Sequence, residues 1–113
     1  MRIVTSVAGV PIRLTSERVG HIVRRHPELQ GQDERMLETV SAPDYVQTGD
    51  TGMLMAVRHY ARTPLTEKWC VVVYRELGAE DGFLVTAYFT RQPAQWRSIV
   101  WRRSSSLSSR QLP

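Results

Sequence analysis

Cysteine, lysine and long apolar runs are what this chain has least of. Cys70 is the single cysteine among 113 residues, so an internal disulfide and every cysteine-based zinc site are excluded. It lies in the apolar run KWCVVVYR, which reads as a buried, inert thiol rather than a nucleophile. No run approaches the roughly 18 apolar residues of a membrane helix, and no signal-peptide pattern opens the chain. The reading is therefore a cytoplasmic protein with no membrane association. Glycine-rich phosphate loops of the G-x-G-x-x-G or G-x-x-x-x-G-K kind are missing, which removes the common nucleotide-binding loops. HExxH is missing too, and His21 and His26 lie about 140° apart on a helix, so neither metal nor cofactor is expected.

What is present is arginine. Of the 15 basic residues 14 are Arg, Lys68 being the exception, and the net charge is +4. Arginine pairs bidentately with phosphate and stacks on bases, which leans towards nucleic acid. The length fits one domain with a core of its own. It is expected over 1–103, with a disordered serine-rich tail over 104–113.

The stretch LTSERVGHIVRRHPEL, Leu14 to Leu29, concentrates the chemistry. Thr15 can cap a helix and Glu17 favours its positive end. Pro27 disfavours helical geometry at His26, so the helix is predicted from Ser16 to Arg25. Val19, Ile22, Val23 and His26 share one arc and face a core. Arg18, His21 and Arg25 share its flank, at the rim where side chains can line a cleft. Three such cationic groups repel one another unless an anion joins them.

Before this helix, residues 3–14 predict a β-hairpin around Ala8-Gly9, with Pro11 confining its second run to an edge. After it, a second helix is predicted from Asp33 to Ser41, with Met36, Leu37 and Val40 inward. Four strand-like runs follow: Tyr45–Thr48, Met53–Tyr60, Lys68–Arg75 and Phe83–Thr90, the third apolar enough for a central strand. Trp96 and Trp101 are expected to fold back onto the domain. The fold class is thus α+β: an N-terminal β-hairpin, two helices, then a four-stranded antiparallel meander under a single layer of helices.

Strict alternation in the last strand puts Phe83, Val85, Ala87 and Phe89 on one face, and Leu84, Thr86, Tyr88 and Thr90 on the other. Arg58 and Tyr60 share a face of the second strand. Should these hydroxyls and guanidinium groups meet the helix flank, the site would suit a phosphodiester. The fitting chemistry is metal-free RNA cleavage, in which the substrate's 2′-OH attacks the adjacent phosphate while protein groups move protons and stabilise charge.

IRLTSERVGHIVRRHPEL, the APDYV segment, an RHY strand, WCVVVYR and GFLVTAYFT together resemble the phage- and mobile-element-associated branch of the barnase/EndoU/colicin/RelE-like nucleases. The likeness spans roughly residues 9–101. It implies a small metal-independent endoribonuclease, toxin-like and often paired with a cognate antitoxin. It places catalytic weight on His21, Arg25, His26, Arg58, Tyr60, Thr86 and Tyr88. Arg18, Thr90 and Arg91 are read beside them as substrate-binding. His21 is the leading general base, and Arg25 and Arg58 stabilise phosphate charge. Thr86 and Tyr88 donate to phosphate or ribose, and His26 serves as acid or fixes the helix end. Val19 departs from the family, which commonly has an aromatic residue there. The alternatives are a catalytically silent member that binds RNA or a partner protein, and a structural component of a phage or secretion apparatus.

Overall fold

The computed structural model describes residues 1–62 and 68–104. The expected tail, apart from Ser104, lies outside the described residues. Local signals place the helices. Helix α1 spans Ser16–Arg25, where the Thr15 hydroxyl accepts from the Arg18 amide at 3.1 Å. Its end is set at His26, whose backbone (φ −134°, ψ 77°) has left helical geometry ahead of Pro27. A single turn, Pro27–Leu29, then drives Leu29 fully into the core. Helix α2 spans Asp33–Ser41 and buries Met36, Leu37, Thr39 and Val40.

Among the described residues, seven strands form one mixed sheet: β1 (Arg2–Thr5), β2 (Pro11–Leu14), β3 (Tyr45–Thr48), β4 (Leu54–Tyr60), β5 (Lys68–Glu76), β6 (Gly82–Thr90) and β7 (Ile99–Arg102). Their order is β1-β2-β6-β5-β4-β3-β7. The fold is α+β with two helices, but the expected four-stranded sheet is corrected to seven. Strands β3 to β6 pair antiparallel in succession, and each end of that set is extended. On one side β2 joins β6 in parallel, and on the other β7 joins β3 antiparallel. Composition could not announce either extension, because both depend on partners distant in the chain.

Pro11 also differs from expectation. It occupies the first position of β2, opposite Thr5, while Arg13 farther along bridges to Phe83. A proline lacking its N–H is tolerated at a strand's first residue, so β1 rather than β2 is the edge.

Two apolar clusters lie on opposite faces of the sheet. On the helix-bearing face, Ile12, Leu14, Ile22, Met36, Val40, Val72, Tyr74, Leu84 and Ala87 form the main core. Each fully buried Leu or Ile there contributes on the order of 1.5–3 kcal/mol. Met55, Val57 and Val71 form the second, with Tyr45, Trp69, Val73 and Tyr88 packed against them. Residues 91–98 run from the end of β6 to β7 beyond β3, and the Gln47 amide donates to the Ala94 carbonyl at 2.6 Å to fasten them. Trp101 is half-buried in β7, whereas Trp96 is 77% exposed, so only one of the two tryptophans packs as expected.

Candidate active site

The site arises where the sheet runs out of strands. Strand β2 pairs with β6 only at Arg13 and Phe83, so from Val85 onward the outer edge of β6 meets α1. Arg18 Nη1 donates to the Val85 carbonyl at 3.4 Å, engaging one of the main-chain oxygens along that edge. Ile22, one turn along, is 1% exposed and anchors the helix in the main core. With the apolar arc held there, the flanking arc of α1 must overhang β6.

Strand β6 does not alternate strictly. Its pairing with β5 shifts register between Val73 and Tyr74, so Val73 opposes Thr86 while Tyr74 opposes Leu84. Leu84 therefore shares the main core with Ala87, three residues on, and Thr86 stands opposite Val73 of the second cluster, which Tyr88 also joins. The expected face of Leu84, Thr86, Tyr88 and Thr90 is corrected at Leu84. A bulge uncouples the two halves of the strand and leaves Thr86 and Tyr88 free of the main core.

Between the helix flank and these hydroxyls lies a pocket of about 580 Å³. Arg18, His21, Arg25 and His26 line it from the helix, and Val85, Thr86 and Tyr88 from the strand, with Ile22 at its base. Among the described residues, no carboxylate lines it. Arg18 and His21 also border a second cavity of about 290 Å³ with Thr15, Glu17 and Arg24. Arg18 borders a third of about 160 Å³ with Arg13 and Phe83. Three hollows sharing one arginine make a groove along α1.

The two imidazoles sit differently. His21 is exposed, and its Nδ1 lies 3.0 Å from Arg24 Nη2. His26 is half-buried, its ring centroid 5.9 Å from that of Tyr88, and its Nδ1 lies 3.7 Å from Glu28 Oε2. Burial raises the pKa of the Tyr88 hydroxyl, against a smaller opposing effect of Arg97, so it stays protonated at neutral pH.

No protein-family model matches the chain, and no curated protein or solved structure is found similar to it. Function therefore rests on the site itself.

Of the sequence-predicted residues, the pocket gathers Arg18, His21, Arg25, His26, Thr86 and Tyr88. It does not gather Arg58 and Tyr60, which lie on β4, two strands from β6. Arg58 donates to the Ala42 carbonyl at 2.5 Å and pairs with Glu38, while the Tyr60 hydroxyl donates to Glu38 at 2.6 Å. Arg35 and Arg58 both stack on the Tyr60 ring. Burial and Glu38 push the Tyr60 hydroxyl's pKa up. This cluster ties α2 to β4. Thr90 shapes a turn with Gln92, and Arg91 is exposed beyond it, neither lining the pocket.

Sequence reading had not singled out Glu28 and Arg24. Arg24 is three residues from His21, the spacing that pairs side chains on a helix, and could have been found that way. Glu28 lies beyond the helix end, so periodicity could not relate it to His26. Among the described residues, no group of three or more potential metal ligands occurs, and no helix is long and apolar enough to cross a membrane.

Proposed function

We propose that this protein is a metal-independent endoribonuclease of the toxin-like kind, belonging to the phage and mobile-element branch of the barnase/EndoU/colicin/RelE-like nucleases. One observation carries the reading: a single pocket lined by Arg18, His21, Arg25 and His26 on one side, and by Thr86 and Tyr88 on the other. With no carboxylate among the described residues of its wall, the pocket suits an anion, and the arginines match the equatorial oxygens of a phosphorane. The adjoining hollows extend the groove past one phosphate, which suits a polymer better than a mononucleotide.

In the proposed reaction the 2′-oxygen attacks phosphorus, forming the O2′–P bond as its proton passes to an imidazole of the helix wall. The P–O5′ bond breaks, and the leaving 5′-oxygen takes a proton from Tyr88 on the strand wall. Arg18 and Arg25 stabilise the charge that builds between these events. The imidazolium and phenolate then exchange a proton through solvent, restoring both groups. An antitoxin, if paired with this chain, would carry acidic groups to cover the groove.

The exposure of His21 favours a second reading, in which the same groove binds RNA without cutting it. Purified protein incubated with single-stranded RNA in excess chelator separates the two. Cleavage leaving 2′,3′-cyclic phosphate ends is expected, and Arg25→Ala should lower kcat/KM by about 10²- to 10³-fold with the thermal midpoint unchanged. Salt-sensitive binding without any cleavage would establish the silent binder instead.

A further inference from the structure

We propose that the general base of this site is His26, positioned by Glu28, and that His21 is a hydrogen-bond donor whose tautomer is set by Arg24. This rests on the ribonuclease reading and goes beyond it by dividing the labour between the two histidines.

The division follows from what each inner ring nitrogen touches. A guanidinium can only donate, so Arg24 Nη2 at 3.0 Å from His21 Nδ1 requires that nitrogen to accept. A neutral imidazole accepting at Nδ1 carries its proton on Nε2, so His21 has a hydrogen rather than a lone pair to offer at that nitrogen. It can hold a phosphate oxygen; it is poorly arranged to take a proton. His26 has the opposite neighbour. A carboxylate can only accept, and Glu28 Oε2 at 3.7 Å from His26 Nδ1 favours the proton on that nitrogen. Nε2 of His26 is then the lone-pair nitrogen, and Glu28 stabilises the imidazolium formed when a proton arrives.

Placement agrees. The side chains of His26 and Glu28 are only 34% and 24% exposed, whereas His21 is open to solvent. Pro27 holds the His26 backbone out of the helix, and the buried Leu29 fixes the turn that carries Glu28. Across the pocket lies Tyr88, the group assigned to protonate the leaving oxygen, its ring centroid 5.9 Å from that of His26. The groups around His26 are thus Glu28 on its turn, Arg18, His21 and Arg25 on α1, and Tyr88 on β6. Among them Glu28 is the one carboxylate in reach of the ring.

The full-length chain tests this in two ways. Long-range ¹H–¹⁵N spectra of the imidazoles, recorded without RNA above the histidine titration range, should show the Nε2–H tautomer for His21 and the Nδ1–H tautomer for His26. With RNA as substrate, His26→Ala should lower kcat/KM by about 10²- to 10⁴-fold, the range for loss of a general base. His26→Asn, which keeps a polar group at the helix end, should be equally impaired, so misfolding is not the cause. His21→Ala should cost only about tenfold, as for one hydrogen bond. Glu28→Gln should remove the preference for the Nδ1–H tautomer at His26 in the same spectra, a change that a purely structural role would not produce. Cleavage lost in His21→Ala but kept in His26→Ala, or reversed tautomers, overturns the assignment and leaves the nuclease reading intact. RNA left uncut by the wild-type protein overturns both.

Discussion

Cys70 shows how one side chain carries the character of the whole core. It is fully buried in β5, against Thr39 of α2, and burial pushes its thiol up to about 11. The unfolded thiol ionises around pH 9, so the folded form holds its proton over a range where the unfolded form has lost it. Stability from this group is complete below pH 9 and declines as pH rises towards about 11. The full effect of two pKa units is on the order of 3 kcal/mol. Cys70→Ala should be less stable than wild type at pH 8 because of the cavity, and that deficit should shrink as the pH of urea melts is raised. The tyrosines, whose pKa values burial also raises, are common to both proteins and cancel. A deficit that stays constant with pH would show that the thiol is not shielded.

At the scale of elements, the junction of β2 with β6 decides where the pocket can exist. Gly82 begins β6, and a Cβ there would lie 2.6 Å from the Arg75 carbonyl and 2.7 Å from Ile12 Cδ1. Only a missing side chain lets β2 come this close to the β5–β6 hairpin. Gly82→Ala should therefore destabilise the fold by about 1–3 kcal/mol, seen in denaturant unfolding. The parting of β2 from β6 leaves α1 to cover the remaining edge, and Thr15 holds the start of that helix. Thr15→Ala should cost about 1 kcal/mol and speed amide exchange in the first turn of α1. Helix limits were legible because Thr15 and Pro27 act on their immediate neighbours. The register shift in β6 was not, because a bulge is defined against the partner strand and not within its own sequence.

Over the whole molecule, residues 91–98 run from β6, inside the sheet, to β7 at its edge, and Gln47 is the buried polar group that holds them. Its amide nitrogen donates to Ala94, while Arg97 reaches the Thr48 carbonyl at 3.3 Å and Asp50 at 2.9 Å. Gln47→Ala leaves the Ala94 carbonyl without that donor, and a loss of about 1–3 kcal/mol is expected, with faster exchange at the Thr48 and Arg103 amides. Periodicity and breakers in the sequence determined the two helices, the runs that became β3 to β6, and the pairing of Arg18, His21 and Arg25 on one flank, since each depends on residues only a few positions apart. Arg58 and Tyr60 carried the same kind of chemistry yet were drawn to Glu38, for sequence cannot say which of several arginines a carboxylate will claim. Which face of β6 meets that flank, how far β2 follows it and which imidazole a carboxylate reaches were decided only by tertiary structure. Those relations join residues far apart in the chain, or separated by a turn, and their energies exist only once the chain has closed on itself.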